Sequence, residues 1–530
     1  MSENKAAKEA PAAPKTTAEK IEALDKRRER IRNSGSAEAV AKRHNAGKMT
    51  ARERIDTLLD AGSFQEMYQH RTHSAVDFGM AGKDLPADGV VTGVGRVNGR
   101  NLYIASQDFM VAGGSLGLAH GSKIVEMMKA AIKCGSPFVM INDSGGARIQ
   151  EGIDALYGYG QIFYHNTLAS GVVPQISLIC GPCAGGAAYS PALTDFVIMV
   201  RGQQMFITGP EVVKQVTGEV VDGESLGGAD THASITGNIH FVVNSDREAL
   251  ETAKRLLSFI PGNNLEDPPA QNASKPVDMT EIPELDSAIP DSPREPYDVR
   301  SIVRQIVDDG DFFEVMEHFA TNMVIGFARI DTYVVGIVAN NPMVKAGVID
   351  IDASDKAARF IRFCNAFNIP LVTFVDTPGY LPGVDQEYHG IIRHGAKMLF
   401  AYSATTTPKL TVILRKAYGG AYIAMSCKAL SADRLCAWPT AEIAVMGADG
   451  AVEIIFRKEI KAAEDAKAKR AELVESYNSK FNTPYLAAQK GYIDDVIRPR
   501  ETRRYLAQAL RTLQNKRDLR PPKKHGNIPL

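Results

Sequence analysis

The sequence predicts an α/β protein made of two similar domains in one chain. Three features lead there. One pattern recurs at an almost constant offset, short apolar strands alternate with helix-spaced segments, and a proline-rich stretch separates the two copies.

The repeat is explicit at the residue level. Ile124, Val125, Met128 and Ala131 follow helical spacing, and 233 positions on stand Ala357, Ala358, Ile361 and Cys364 with the same spacing. Pro137 opens the apolar run 138–143 and Pro370 opens 371–376 at that offset, and Gly146 matches Gly379. Pro174 precedes 175–179 and Pro408 precedes 409–414. Gly185-Gly186 falls opposite Gly419-Gly420 at offset 234, so one residue is inserted in the second copy. Each copy reads helix, strand, turn, helix, strand, Gly-Gly, helix. Two copies are too few for a solenoid, so two parallel α/β layers are expected.

Around these domains the chain divides by composition. A flexible tail is expected over 1–16, rich in Ala, Lys, Glu and Pro. A helical N-terminal extension is expected over 17–75, with Thr50 and Glu53 spaced as a capping box ahead of Ile55 and Leu58. The first domain then covers 76–260 and the second 299–515. Between them, 261–298 reads as a linker, carrying Pro261, Pro268, Pro269, Pro276, Pro283, Pro290, Pro293 and Pro296 among acidic residues. A C-terminal extension covers 516–530. The basic stretch from Asp25 to Arg32 reads either as a contact for an anion or as a solvated helix face.

Composition excludes several classes. With 61 Lys+Arg against 62 Asp+Glu the net charge is −1, so no basic excess marks a general nucleic-acid binder. Hydrophobic residues at 44% and charged residues at 23% are ordinary for a globular chain. There is no long apolar run to span a membrane, no apolar secretory signal after Met1, and six cysteines do not make a disulfide scaffold. A cytoplasmic protein is expected.

Several short motifs have bland explanations. Cys180-Gly-Pro-Cys183 has the spacing of a dithiol oxidoreductase, but the second copy has Leu414 and Ala417 in those places. No cysteine pair has zinc-ligand spacing, so no metal is expected. Asp143-Ser-Gly-Gly146 and Gly113-Gly-Ser-Leu-Gly117 resemble serine-nucleophile patterns, yet Ser144 becomes Thr377 and no ordered triad is evident. Asn98-Gly99 between two apolar runs predicts a hairpin turn rather than a dinucleotide fingerprint. No Walker A sequence occurs.

The Gly-Gly pairs carry more. Gly185-Gly186-Ala187-Ala188-Tyr189 and Gly419-Gly420-Ala421-Tyr422 each follow a buried strand and open a helix. Free N–H groups there would stabilise an oxyanion, and glycine lets the ligand approach. The alternative is tight strand–helix packing. Two such sites suit transfer of a small group between two carbonyl compounds.

These residues sit in longer motifs. They are Asn142-Asp-Ser-Gly-Gly-Ala-Arg-Ile-Gln-Glu151, Gly181-Pro-Cys-Ala-Gly-Gly186, Phe206-Ile-Thr-Gly-Pro210, Phe374-Val-Asp-Thr-Pro-Gly-Tyr-Leu-Pro-Gly383, Arg415-Lys-Ala-Tyr-Gly-Gly-Ala-Tyr422 and Trp438-Pro-Thr-Ala-Glu442. Over about 20–530 the chain resembles the carboxyltransferase (β) subunits of biotin-dependent acyl-CoA carboxylases of the propionyl-CoA carboxylase type. It also resembles the carboxyltransferase of methylmalonyl-CoA transcarboxylase and the α subunit of methylmalonyl-CoA decarboxylase. The resemblance implies two crotonase-like domains and a homo-hexamer, with each active site between the N-half of one subunit and the C-half of another. It implies acyl-CoA on the N-half, with Gly185 and Gly186 catalytic and Ala147, Arg148 and Tyr189 binding substrate. It implies carboxybiotin on the C-half, with Gly419 and Gly420 catalytic and Ala421, Tyr422 and Ile423 lining the pocket. Biotin itself supplies the base, which accounts for the lack of a conspicuous catalytic side chain. No Ala-Met-Lys-Met biotinylation sequence occurs and no biotin carboxylase domain fits, so a biotin carboxylase/biotin carrier (α) subunit is implied as partner. Ile423 replaces the Asp usual in this type, which implies propionyl-CoA with a wider acyl range that includes acetyl-CoA.

Overall fold

The structure is a computed structural model and describes residues 15–270, 276–293 and 295–530. The expected tail falls outside these residues except for its last two, and five linker positions, 271–275, together with Arg294 also lie outside them.

Two eight-stranded sheets form the framework, and they match strand for strand. The first contains β1 (Gln65–Met67), β2 (Val90–Val97), β3 (Arg100–Gln107), β4 (Phe138–Ser144), β5 (Gln175–Ala184), β6 (Phe196–Val200), β7 (Met205–Phe206) and β8 (Phe241–Val243). The second contains β9 (Phe313–Val315), β10 (Met323–Ile330), β11 (Tyr333–Asn340), β12 (Leu371–Thr377), β13 (Lys409–Tyr418), β14 (Arg434–Ala437), β15 (Glu442–Ala444) and β16 (Asp495–Val496). Their orders are β1-β2-β3-β4-β5-β6-β8 and β9-β10-β11-β12-β13-β14-β16, with β7 on β5 and β15 on β13. The first three strands of each sheet are antiparallel and the rest parallel.

Local chemistry explains the antiparallel start. Asn98 (φ +51°) and Gly99 (φ +77°) make the tight β2–β3 turn, and Asp331 (φ +51°) and Thr332 (φ +75°) make the β10–β11 turn. Each turn is tied by one carboxylate. Asp60 accepts from the Asn98 and Gly99 amides at 3.0 and 2.8 Å, and Asp308 from those of Asp331 and Thr332 at 2.9 and 2.8 Å. The helices Leu118–Cys134 and Ile351–Ala366 cover their sheets with the apolar residues that the spacing predicts. Each also buries a lysine that the periodicity did not single out. Lys123 donates to the carbonyls of Ala87 and Val90, and Lys356 to those of Met316 and Phe319. Burial pushes both ammonium groups down to about 7.

The two halves share one core. Phe196 meets Phe363 edge-on at 4.6 Å, and Phe241 stacks on Phe313 at 4.8 Å. Phe259 stacks on both Phe313 and Phe327. Each buried ring contributes roughly 1.5–3 kcal/mol, so this seam holds the sheets together without the linker. The described part of the linker lies against the second sheet, with Leu285 and Tyr297 buried. The helices Thr17–Arg32, Ala37–Asn45 and Ala51–Leu58 precede β1, and both Thr16/Glu19 and Thr50/Glu53 form capping boxes. Among the described residues, no helix is long and apolar enough to cross a membrane.

Candidate functional site

Each parallel ladder opens at its carboxyl end. β4 and β5 pair Asn142 with Ile179 and then Ser144 with Cys183; β12 and β13 pair Val375 with Ile413 and then Thr377 with Ala417. Two residues advance on one strand while four advance on the other. The longer strand bulges, and its end swings out to present Gly185-Gly186 or Gly419-Gly420.

Both first glycines adopt the left-handed region, Gly185 at φ +62° and Gly419 at φ +57°. A Cβ on Gly419 would lie 3.0 Å from the Val445 carbonyl, and one on Gly186 would lie 3.2 Å from the Tyr159 ring. The helices that follow, Gly186–Leu193 and Gly419–Ala424, leave their first amides free of intrahelical partners. A short parallel bridge adds a second amide to each cradle. Leu116 N–H donates to Gly146 O and Arg148 N–H to Leu116 O, so the intervening Ala147 amide faces the other way. Ile349 and Tyr380 repeat this with Gly379 O and the Leu381 amide. Tyr380 is thus the counterpart of Ala147. The sequence reading missed it, although the 233 offset from Ala147 points straight to it. Its ring lies 3.8 Å from a Cβ placed on Gly420, and its hydroxyl, pushed up to about 12 by burial, donates to Gly395 O.

The other expected site residues divide. Tyr189 at 49% and Ile423 at 41% exposure stand open beside their cradles, Tyr422 is half-buried, and Ala421 is fully buried. The Arg148 side chain turns into the domain. Its guanidinium donates to Asp88 at 2.6 Å, to Glu151 at 2.8 Å and to the Ser115 carbonyl at 2.8 Å, all inside the domain. It braces the loop whose backbone carries Ala147.

The tempting motifs resolve as packing. Cys180 and Cys183 lie fully buried in β5, and burial pushes both thiols up to about 12, which suits neither redox chemistry nor metal binding. Ser144 is buried and its hydroxyl accepts from Gly146 N–H. Trp438 is core, its indole donating to Thr502. The helix Thr17–Arg32 buries no residue and shows a solvated charged face. Among the described residues no group of three His, Cys, Asp or Glu side chains is placed to hold a metal.

Beneath each cradle sits a buried carboxylate. Asp143 Oδ2 takes Arg43 at 2.5 Å and Arg54 at 2.8 Å. Arg54 is itself fully buried and also holds Asp246 at 2.8 Å and the Cys180 carbonyl at 3.0 Å. Asp376 takes Arg415 at 2.9 Å, the Tyr297 hydroxyl at 2.7 Å and the Lys416 amide at 3.1 Å. Burial outweighs these partners and raises the Asp376 carboxyl above its ordinary value.

Comparison with known proteins identifies the family. The carboxyl transferase domain family matches residues 42–528. The chain is 54% identical to the propionyl-CoA carboxylase carboxyltransferase subunit of Haloferax mediterranei, over 97% of this chain and 100% of that one. It is 54% identical to the methylmalonyl-CoA decarboxylase subunit alpha of Propionigenium modestum, over 97% and 99%. It superposes on transcarboxylase 12S, solved as a hexamer assembly with methylmalonyl-CoA and methylmalonic acid bound, with a TM-score of 0.96 at 55% identity over 99% and 100% of the two chains. The expectation of two crotonase-like α/β domains is met.

Proposed function

The chain belongs to the carboxyl transferase family and is a carboxyltransferase, and from that premise we propose that it moves a carboxyl group from carboxybiotin to the α carbon of propionyl-CoA, with acetyl-CoA as a second acceptor. The observation that carries this reading is the pair of equivalent cradles, with Gly185 and Gly419 both at positive φ.

In this reading the N-half binds the acyl-CoA. The amides of Ala147 and Gly186 converge on the thioester oxygen as the enolate forms, with Tyr189 at the rim. The C-half would hold biotin, with the amides of Tyr380 and Gly420 as the donors available to its ureido oxygen. The residues fit such a group, because Gly419 and Gly420 put no side chain over the cradle and Gly420 is exposed. When bound, carboxybiotin supplies the carboxyl group and a ring nitrogen that serves as base. The protein's contribution is placement and oxyanion stabilisation, worth roughly 3–4 kcal/mol per cradle. Tyr422 and Ile423 border the space left for the acyl group.

A partner that carries biotin completes the enzyme, and a second copy completes the site. Exposed apolar side chains support the latter. Ile153, Leu156 and Tyr157 on the first half and Tyr388, Ile392 and Val445 on the second stand more than half exposed, the kind of surface that another subunit covers. A homo-hexamer pairing the N-half of one copy with the C-half of the next would cover both.

A second reading is supported by equal identity to the decarboxylase subunit and by the apolar Ile423: the chain would then release or pass on the carboxyl group of methylmalonyl-CoA. Co-purification separates the two. A biotin carboxylase/carrier chain and ATP-dependent formation of methylmalonyl-CoA support the first, whereas a membrane partner and net decarboxylation support the second. Ile423→Asp is expected to narrow acceptors toward propionyl-CoA, and an unchanged acyl-CoA panel would remove Ile423 from the pocket.

A further inference from the structure

We infer that the interdomain linker is a working strap of the second cradle, with Tyr297 and Asp376 as positioning residues. This rests on the proposed role of Gly419-Gly420 and Tyr380.

Asp376 stands at the point where β12 and β13 part. Four residues further along the chain, just past the end of β12, is Tyr380, and on β13 its partners Arg415 and Lys416 lie four and three residues before Gly419. One carboxylate therefore grips both strand exits that carry the cradle amides. Its Oδ1 accepts from the Lys416 amide, which the bulge has removed from the ladder, and its Oδ2 accepts from Arg415 Nε. The third donor comes from the linker. Tyr297 is 7% exposed, donates its hydroxyl to Asp376 at 2.7 Å, and lies under the Arg415 guanidinium at 5.0 Å. The linker backbone closes the grip. Arg415 donates to Glu295 O at 3.0 Å and Ser292 O at 3.4 Å, and the Lys416 ammonium donates to Pro293 O at 2.7 Å. Ser292, Pro293, Glu295 and Tyr297 of the linker thus engage two successive β13 residues on one side and the β12 carboxylate on the other. These groups act on the cradle through the backbone they hold.

The test pairs Asp376→Asn with Tyr297→Phe in the full chain. Transfer from methylmalonyl-CoA to free biotin is the activity readout, and hydrogen exchange of the peptide 415–424 on the unliganded protein is the independent one. Misplacing an amide donor by an ångström costs about 100-fold in rate. Asp376→Asn should lose kcat on that scale, and Tyr297→Phe about fivefold, the equivalent of one hydrogen bond. KM for the acyl-CoA should stay within about twofold, because the first cradle is untouched. Exchange over 415–424 should quicken in both variants while 181–190 keeps its rate. An active parent with a Tyr297→Phe variant unchanged in kcat and exchange overturns the strap, whether or not Asp376→Asn folds. An inactive parent overturns the proposed function, and the strap with it.

Discussion

Asp143 and Asp376 occupy equivalent positions in the two halves, yet they are neutralised from different directions. In the second half a cation enters from the adjacent strand, as Arg415 of β13. In the first half the equivalent residue is Gly181, where a Cβ would lie 1.8 Å from Asp143 Oδ1, and the cations come instead from Arg43 and Arg54 on helices ahead of the domain. The next residue differs as well. Lys416 offers its N–H to Asp376 Oδ1, whereas Pro182 has none to offer, and Asp143 Oδ1 is left without a hydrogen bond. One backbone solution, a bulged strand ending in Gly-Gly, therefore survives with two unrelated sets of side chains beneath it. The duplication preserved the shape of the cradle, and charge balance was rebuilt locally from whichever segment lay nearest.

That contrast can be broken by experiment, and the largest effect belongs to Arg54. Arg54→Met removes the buried cation that Asp143 and Asp246 share, leaving Asp143 with Arg43 and Asp246 with the Met49 amide, and should cost about 3–5 kcal/mol in urea unfolding. Arg415→Met should cost less, because only one carboxylate loses a partner there and Asp376 keeps Tyr297 and the Lys416 amide; equal losses would show that the number of carboxylates sharing the cation is irrelevant. Next is acid sensitivity. Among the described residues the buried histidines outside the exposed surface, His120, His165, His232 and His240, all lie in the first half, and burial drives His120 down to about 3 and His240 well below its ordinary value. Both His120 and His240 are neutral when folded and take protons when unfolded, so their contribution is complete above 6.5 and is lost as pH falls below it. His120 alone should withdraw about 2 kcal/mol between 6.5 and about pH 5. Proteolysis across that range should open the first half before the second, and simultaneous opening would count against the asymmetry.

The hairpin turns come third. Thr332 is β-branched at φ +75°, where its counterpart Gly99 is at ease. Thr332→Gly should raise stability by about 1 kcal/mol and Gly99→Thr should lower it by about 1–2 kcal/mol, read from thermal midpoints. Matching signs for the two exchanges would refute the equivalence of the turns. The smallest effect is Pro182→Ala, which supplies the missing N–H to Asp143 at the expense of chain stiffness. A gain of up to about 1 kcal/mol is expected, and a loss would mean that Oδ1 gains nothing from a donor.

Much of this was legible beforehand for identifiable reasons. The 233 offset aligns β4 with β12 and finds both starts, each strand running one residue past the expected end, and the capping box at Thr50 and the turn at Asn98-Gly99 stand where spacing puts them. Tyr380 could have been read from Ala147 by the same offset. The role of the Arg148 side chain could not, because its partner Asp88 is 60 residues away and nothing in the motif distinguishes a brace from a ligand contact.

By itself, then, the sequence determined what depends on single residues and their neighbours: the duplication, the strand and helix periods, and glycines where the backbone takes a positive φ. Only the tertiary structure decided which cation meets each buried carboxylate, that phenylalanines of both halves share one seam, and that a linker tyrosine reaches Asp376. Those partners are separated by 39 to 192 residues. Pairing at such range depends on which surfaces packing brings together and on the cost of leaving a charge buried alone, and neither is written in local spacing.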